Sequence, residues 1–302
     1  MEYIRTDGKF PRFSKTAVTI GKFDGIHRGH RKLISHIVER KKTGAEAVVF
    51  AFDLNSPMIF SHDERAAMLE NMGVDVLVEC SLNERIRKIR AEEFVRDILV
   101  GSFHADLIAV GEDNRFGFER KGTPELLTGL GQKYGFETVV QPSEMDGDRK
   151  ISSTRVRKEL LSGRMEKVAS LMGTPYYISG TVLHGIGLGH VQLLPTVNLI
   201  PGQDKQLPPK GVYFTRTLCE NGCRYGITNI GNRPTVGGTF TSVETYLFDC
   251  SEDLYGKQLT VMFDHFKRPE KKFSSLELLK EQMMKDAEDG KDYYRSYGGK
   301  LP

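Results

Sequence analysis

The segment Thr19-Ile20-Gly21-Lys22-Phe23-Asp24-Gly25-Ile26-His27-Arg28-Gly29-His30 holds the densest set of chemistry-bearing residues in this chain. An apolar strand pattern stops at Gly21, and a glycine-bearing turn leads into a helical pattern. Helix N-termini present free N–H groups and a positive dipole end, which suits phosphate. His27 and His30 are three residues apart, so one helical turn puts both imidazoles on the same face, where they can donate to phosphate oxygens. Gly29 lets the backbone come close to a ligand. The plain alternative is a pair of surface histidines after a turn. Zinc is disfavoured, because the spacing supplies two ligands and no cysteine is near. Two further segments offer ligand sites, the second of them an anion cradle. Gly111–Gly117 (GEDNRFG) follows a strand pattern, and Ile151–Arg157 (ISSTRVR) opens a helix with three hydroxyls and an arginine. In the second half, Thr196 and Asn198 are two apart and so share a face if extended, and both offer hard oxygen ligands. Glu244 alternates with Val243 and shares a face with Tyr246. Read alone, Glu244 is one of many strand carboxylates and Pro195-Thr196-Val197-Asn198 a turn.

These residues need a frame. The first half alternates strand patterns (Ala17–Ile20, Ala47–Phe52, Val74–Val78, Leu107–Val110, Thr138–Val140) with helical ones (residues 29–41, 64–71, 91–99 and 124–134). Such alternation implies a parallel sheet covered on both faces. Residues 155–172 read as one helix, stopped by Gly173 with Pro175 beyond. Strand patterns then follow without helices at 176–183, 211–219, 223–230, 243–248 and 258–266, separated by Gly, Asn and Pro turns, and imply a small antiparallel barrel. A helix over 275–286 closes the pattern. The expected domains are 1–173 and 174–302.

Composition narrows the class. The 302 residues are 39% hydrophobic and 27% charged, an ordinary globular balance. The net charge of +3 comes without a concentrated basic stripe or basic–aromatic interleaving, so nucleic acid is not an expected partner. No apolar run approaches the roughly 20 residues of a membrane helix, and the N-terminus lacks a signal-peptide core. The four cysteines are expected to be free thiols in a reducing, cytoplasmic setting.

With all three N-terminal motifs in this order, the first half resembles the adenylyltransferase half of the bifunctional riboflavin kinase/FAD synthetase family, within the HxGH nucleotidyltransferases. The second half resembles the riboflavin kinase module over Ser179–Gly189, Pro195–Asn198, Gly211-Val212-Tyr213, Asn229–Thr235 and Val243-Glu244. The resemblance implies a Rossmann-like α/β domain, 1–173, that joins FMN to the α-phosphorus of ATP and releases pyrophosphate. It implies a β-barrel domain with a C-terminal helix, 174–302, that phosphorylates riboflavin. It further implies His27 and His30 as catalytic, with Gly21, Phe23, Asp24, Gly29, Asp113, Ser152, Ser153, Thr154 and Arg157 at the ATP phosphates. Asp24 is expected to orient the turn rather than bind metal. In the kinase half it implies Gly187 and Gly189 at phosphate, Thr196 and Asn198 on Mg²⁺, and Glu244 as base. The implied partners are small molecules: ATP, riboflavin and FMN.

Three departures from the family pattern stand out. Asn114 replaces an aromatic residue, and Asp53-Leu54-Asn55-Ser56-Pro57 replaces Asp-Pro-His-Pro. Gly189-His190-Val191-Gln192-Leu193-Leu194 replaces Gly-Arg-x-Leu-Gly-Phe. The last departure leaves open a weakened kinase, a second domain that only binds flavin beside a monofunctional FAD synthetase, or a flavin-binding regulator.

Overall fold

The computed structural model describes residues 1–53, 56–183, 196–235, 238–250 and 252–296. Contact density divides the chain into two compact units, Met1–Arg155 and Val156–Pro302.

The first unit is built on a six-stranded parallel sheet. Its strands are β1 (Glu2–Thr6), β2 (Thr16–Gly21), β3 (Glu46–Asp53), β4 (Val76–Ser81), β5 (Ala105–Gly111) and β6 (Glu137–Gln141), in the order β1-β4-β3-β2-β5-β6. Central strands buried on both faces are built mostly from apolar residues. Ala17, Val18, Ala47, Val48, Val49 and Phe50 are accordingly buried to the last ångström. Edge strand β1 has no such signature. It is half exposed with Glu2 and Arg5 on it, and only its pairing with β4 makes it a strand. Helix α1 (Arg28–Glu39) buries Leu33, Ile34 and Ile37. Helix α2 (His62–Asn71) starts on a reciprocal capping box between Ser61 and Glu64. Helices α3 (Glu84–Arg87) and α4 (Ala91–Glu93) follow, and α4 widens into a π-helical stretch over Phe94–Val100. Helix α5 (Pro124–Tyr134) has Thr123 as its cap, Pro124 in its first turn and left-handed Gly135 at its end. A two-residue hairpin, β7 (Met145–Asp146) with β8 (Arg149–Lys150), precedes the next helix.

The expected single helix over 155–172 is two. Helix α6 (Ser153–Leu161) ends before Gly163, whose φ of +71° turns the chain, and α7 (Met165–Met172) follows to Gly173. α7 packs on strands of the second sheet and belongs to the second unit.

That sheet contains β9 (Tyr176–Thr181), β10 (Thr196–Leu199), β11 (Gly211–Cys219), β12 (Gly222–Thr235), β13 (Gly238–Leu247) and β14 (Gln258–Pro269), ordered β10-β13-β12-β11-β14-β9. Every pairing is antiparallel. It curls until the chain just beyond β9 meets β10, where Leu183 N–H donates to the Asn198 carbonyl at 3.0 Å. Tyr176, Tyr213, Val243, Val261 and Phe263 fill its inside. Helix α8 runs from Leu276 to Ser296, longer than expected, because Ala287 and Tyr294 bury against Val212, Phe214, Ile227 and Phe248 on the outer face. No helix among the described residues is long and apolar enough to cross a membrane.

Candidate functional site

β2 and β5 are neighbours, but the chain leaves β2 towards β3 and leaves β5 towards β6. Loops diverging from adjacent parallel strands open a crevice at the carboxyl edge of the sheet. The loop after β2 is strained: φ is +49° at Phe23, +78° at Gly25 and +30° at Ile26. Left-handed backbone costs a side-chain-bearing residue about 1–2 kcal/mol, so the surroundings must enforce it. Phe23 and Ile26 are completely buried. Ile59 N–H donates to Asp24 Oδ1 at 2.7 Å, Ser153 Oγ–H to the Asp24 carbonyl at 2.7 Å, and Arg65 Nη1 to the Lys22 carbonyl at 3.3 Å. A Cβ on Gly25 would lie 2.7 Å from Ile59 Cδ1. Gly25→Ala is therefore expected to cost about 1–3 kcal/mol and to lower the melting temperature by about 2–8 °C. Calorimetry showing no drop would end the strain argument.

The clamped loop delivers His27 to the start of α1. Its ring stacks on that of His30, with centroids 3.8 Å apart and planes 21° apart. Gly29 permits this, since a Cβ there would press on His27 Cε1 at 3.2 Å. The ring of Phe23 backs His30 at 4.9 Å. Burial lowers the His27 pKa to about 4, with Asp113 pulling it up and Lys150 pushing it down. His30 is held well below the ordinary histidine range by burial and then by His27. Nδ1 of both rings is enclosed and has no partner among the described residues.

The loop after β5 closes the crevice from the other side. Asn114 Nδ2 donates to the Ile20 carbonyl at 3.0 Å, stitching β5 to β2. A residue that departs from the family pattern thus ties the loop after β5 to the end of β2. Asp113 forms an ion pair with Lys150 at the rim. At the head of α6, Arg155 N–H donates to Ser152 Oγ at 3.3 Å, so the hydroxyls of Ser152 and Ser153 serve the protein's own backbone. Thr154 is exposed. Arg157 Nη1 donates to Gln206 Oε1 at 3.3 Å.

Asp53, His62 and Glu79 bring ligand-type atoms within 4.8 Å of one another. The trio is a poor cation site, because Glu79 is already saturated. It pairs with buried Arg65, accepts from Tyr3 Oη at 3.0 Å and contacts His62 Nδ1 at 3.0 Å. Leaving the buried Arg65 charge uncompensated would be costly. Arg65 was not singled out from the sequence, where an arginine inside an ordinary helix carries no mark.

The second cluster lies on the outer face of the curled sheet. Asn198 is directly opposite Glu244 on β13, and Glu244 is directly opposite Asn229 on β12. Thr196 stands opposite Tyr246, one step along the same face. The alternation read from the sequence holds: Val243, Thr245 and Leu247 are buried, while Glu244 and Tyr246 are partly exposed. Ser242 Oγ–H donates to Glu244 Oε1 at 2.8 Å. Asn198 Nδ2 donates to the Thr196 carbonyl at 3.3 Å. Asn229 joins the row through cross-strand register and carries no local signal. Gly187, Gly189, His190 and Leu193 lie outside the described residues, as do Leu54 and Asn55.

A family model described as FAD synthetase matches residues 10–155, and one described as riboflavin kinase matches residues 172–294. The chain is 35% identical over 289 residues to a bifunctional riboflavin kinase/FMN adenylyltransferase of Escherichia coli (strain K12), covering 92% of each chain. It is 31% identical over 293 residues to the Haemophilus influenzae protein of the same description, covering 93% of this chain and 94% of the other. A crystal structure described as a macrolide-efflux protein from Streptococcus pneumoniae superposes with a TM-score of 0.81 at 27% identity, covering 95% of this chain and 97% of that one.

Proposed function

The chain belongs to the bifunctional riboflavin kinase/FMN adenylyltransferase family, and from that membership we propose how each half performs its reaction. The chain phosphorylates riboflavin with ATP to give FMN, then joins FMN to the adenylyl group of a second ATP, giving FAD and pyrophosphate. Matches to both halves favour this over an FAD synthetase with a merely flavin-binding second domain.

Adenylyl transfer takes place at the crevice between β2 and β5. The observation that carries this reading is the stacked, neutral pair of imidazoles at the start of α1. An enclosed Nδ1 without an acceptor is better left unprotonated than as an orphaned N–H. Each ring therefore carries its proton on Nε2, as a donor to ATP phosphate oxygens. An FMN phosphate oxygen attacks the α-phosphorus, the bond to the β-phosphate oxygen breaks, and pyrophosphate leaves. Catalysis is positioning plus stabilisation of charge on the α-phosphoryl oxygens. Gly21, Phe23, Asp24 and Gly29 shape the loop, Asp113 lines the rim, and Ser152, Ser153 and Thr154 place the start of α6 beside the loop. Arg157 is assigned to the nucleotide as a phosphate-binding cation.

In the kinase half, Glu244 takes the proton from the ribityl 5′-hydroxyl as that oxygen attacks the γ-phosphorus and ADP leaves. Thr196 and Asn198 are hard oxygen donors on one face, a donor set that fits Mg²⁺. When bound, Mg²⁺ would neutralise phosphate charge there. We assign residues 1–173 to the first activity and 174–302 to the second; α6 and α7 occupy most of the stretch between the two family matches. The proposed partners are small molecules, and the proposed setting is the cytoplasm, where Cys80, Cys219, Cys223 and Cys250 stay free thiols.

Incubation with Mg-ATP and either riboflavin or FMN, followed by separation of the flavins, tests the whole reading. Riboflavin should yield FMN and then FAD, and FMN should yield FAD with pyrophosphate. FAD from FMN but no FMN from riboflavin would remove the kinase assignment. The family departure at residues 190–194 adds a finer expectation. A neutral imidazole at His190 forfeits a charge-assisted bond of about 1.5–3 kcal/mol relative to arginine, and Leu193 strains any left-handed backbone by about 1–2 kcal/mol. His190→Arg with Leu193→Gly should raise riboflavin phosphorylation by roughly two to three orders of magnitude, at about 1.4 kcal/mol per tenfold. Steady-state kinetics showing no gain would mean this loop does not limit the kinase.

A further inference from the structure

Lys150 stands at the rim of the β2–β5 crevice, on the short hairpin that precedes α6. The hairpin is anchored. Ile151 N–H donates to the Glu144 carbonyl at 2.8 Å, and Asp146 pairs with Arg155. The Lys150 ammonium reaches across to the Asp113 carboxylate, on the loop that Asn114 stitches to the end of β2. Asp113 and Lys150 both bear electrostatically on His27, with opposite signs.

Two other cations beside the helix start, Lys32 and Arg28, are also held by carboxylate. Glu144 takes Lys32 at 2.5 Å and Arg28 at 3.6 Å. Glu112 is occupied by Ser143, whose N–H donates to its Oε1 at 3.1 Å. A triphosphate brought to His27 therefore meets Lys150, Lys32 and Arg28 already paired. The pairs differ in how readily they exchange. Glu144 is largely buried and grips two cations, whereas Lys150 and Asp113 are 38% and 68% exposed in their side chains. An exposed ion pair contributes little net stability, and a lysine is a mobile point charge on a long flexible stem. A polyanionic phosphate chain outcompetes a single carboxylate for it.

We infer that Lys150 is an exchangeable phosphate clamp for adenylyl transfer. It leaves Asp113 when ATP enters, binds oxygens of the β- and γ-phosphates, and stays with them as pyrophosphate departs. Resting on the assignment of His27 and His30 to adenylyl transfer, this names a residue that reads the leaving group rather than FMN.

The test uses the full chain with Lys150→Gln, Lys150→Arg and His27→Ala. FAD formation is measured with ATP and FMN each varied, with product inhibition by pyrophosphate, riboflavin phosphorylation and melting temperature followed in parallel. Lys150→Gln should raise KM for ATP about 5- to 20-fold, the range left to a charge-assisted bond at a half-exposed site. It should weaken pyrophosphate inhibition by a similar factor and hold KM for FMN within about twofold. Lys150→Arg should restore most of the loss, with melting temperature and kinase rate unchanged. An unchanged KM for ATP, or equal rises for ATP and FMN, overturns the inference. If His27→Ala loses activity and Lys150→Gln does not, the clamp alone fails. If neither loses activity, the site assignment fails with it.

Discussion

Replacing His27 or His30 with alanine is expected to cut the conversion of FMN to FAD by about 10²–10³-fold, the usual cost of losing one donor to a developing charge, and to leave riboflavin phosphorylation untouched. In the proposed reaction both rings donate in a largely enclosed place, so water is a poor substitute for either. Their stacking means that one substitution also disturbs the neighbour, and the double variant should be little worse than either single one. Initial rates of FAD formation check this, and two single variants that both retain wild-type rates would end the assignment. The pH profile carries independent information. The His27 pKa is about 4 in the folded protein, against an ordinary value of 6.5. Between those values the unfolded chain binds more protons than the folded one. The stability associated with the neutral ring is thus complete above pH 6.5 and is lost as pH falls towards 4, by about 3 kcal/mol in all. Melting temperatures taken from pH 8 down to 4 should fall less steeply for His27→Ala than for the unaltered chain. Across pH 6–8 neither ring changes charge, so histidine titration should leave the rate of FAD synthesis flat.

Glu244→Gln is expected to reduce riboflavin phosphorylation by about 10²–10⁴-fold, the span attributed to general bases, with FAD synthesis from supplied FMN unchanged. Glutamine keeps the shape and can still accept from Ser242, which now meets Glu244 at 2.8 Å. The sheet should therefore keep its register, and the melting temperature should hold. What the variant loses is the capacity to take a proton, between Asn198 on one neighbouring strand and Asn229 on the other. Kinase turnover with riboflavin decides the matter, and a wild-type rate would assign Glu244 to the sheet alone. Together with the histidine variants it also tests the division of labour, because each substitution should silence one half.

Much of this was legible in the chain itself. Alternating strand and helix patterns imply a parallel sheet because each pattern is written within about ten residues, by periodicity, capping and turn chemistry. The Thr123–Pro124 start of α5, its Gly135 end and the Gly173 stop are local in the same sense. So is the side of β13 that Glu244 takes, since strand alternation needs only its neighbours. The limits of local reading show at residues 155–172, where Gly163 splits the expected single helix, and at β1, whose charged residues become a strand only beside β4.

The candidate site divides along the same line. Residue types and spacing mark His27 and His30 and Ser152 to Thr154 as groups able to handle phosphate, whereas Thr196, Asn198 and Glu244 stand out only through the family resemblance. Only the tertiary structure decided what surrounds them. The strained loop is held by Arg65 from 43 residues away and by Ser153 from 129 away, and Asn114 reaches Ile20 across 94. Asn229 enters the Glu244 row through strand register, and Lys150 meets Asp113 across 37 residues. Such partners leave no trace in a local pattern, because their energy comes from a burial and register that exist only once the distant strands have assembled.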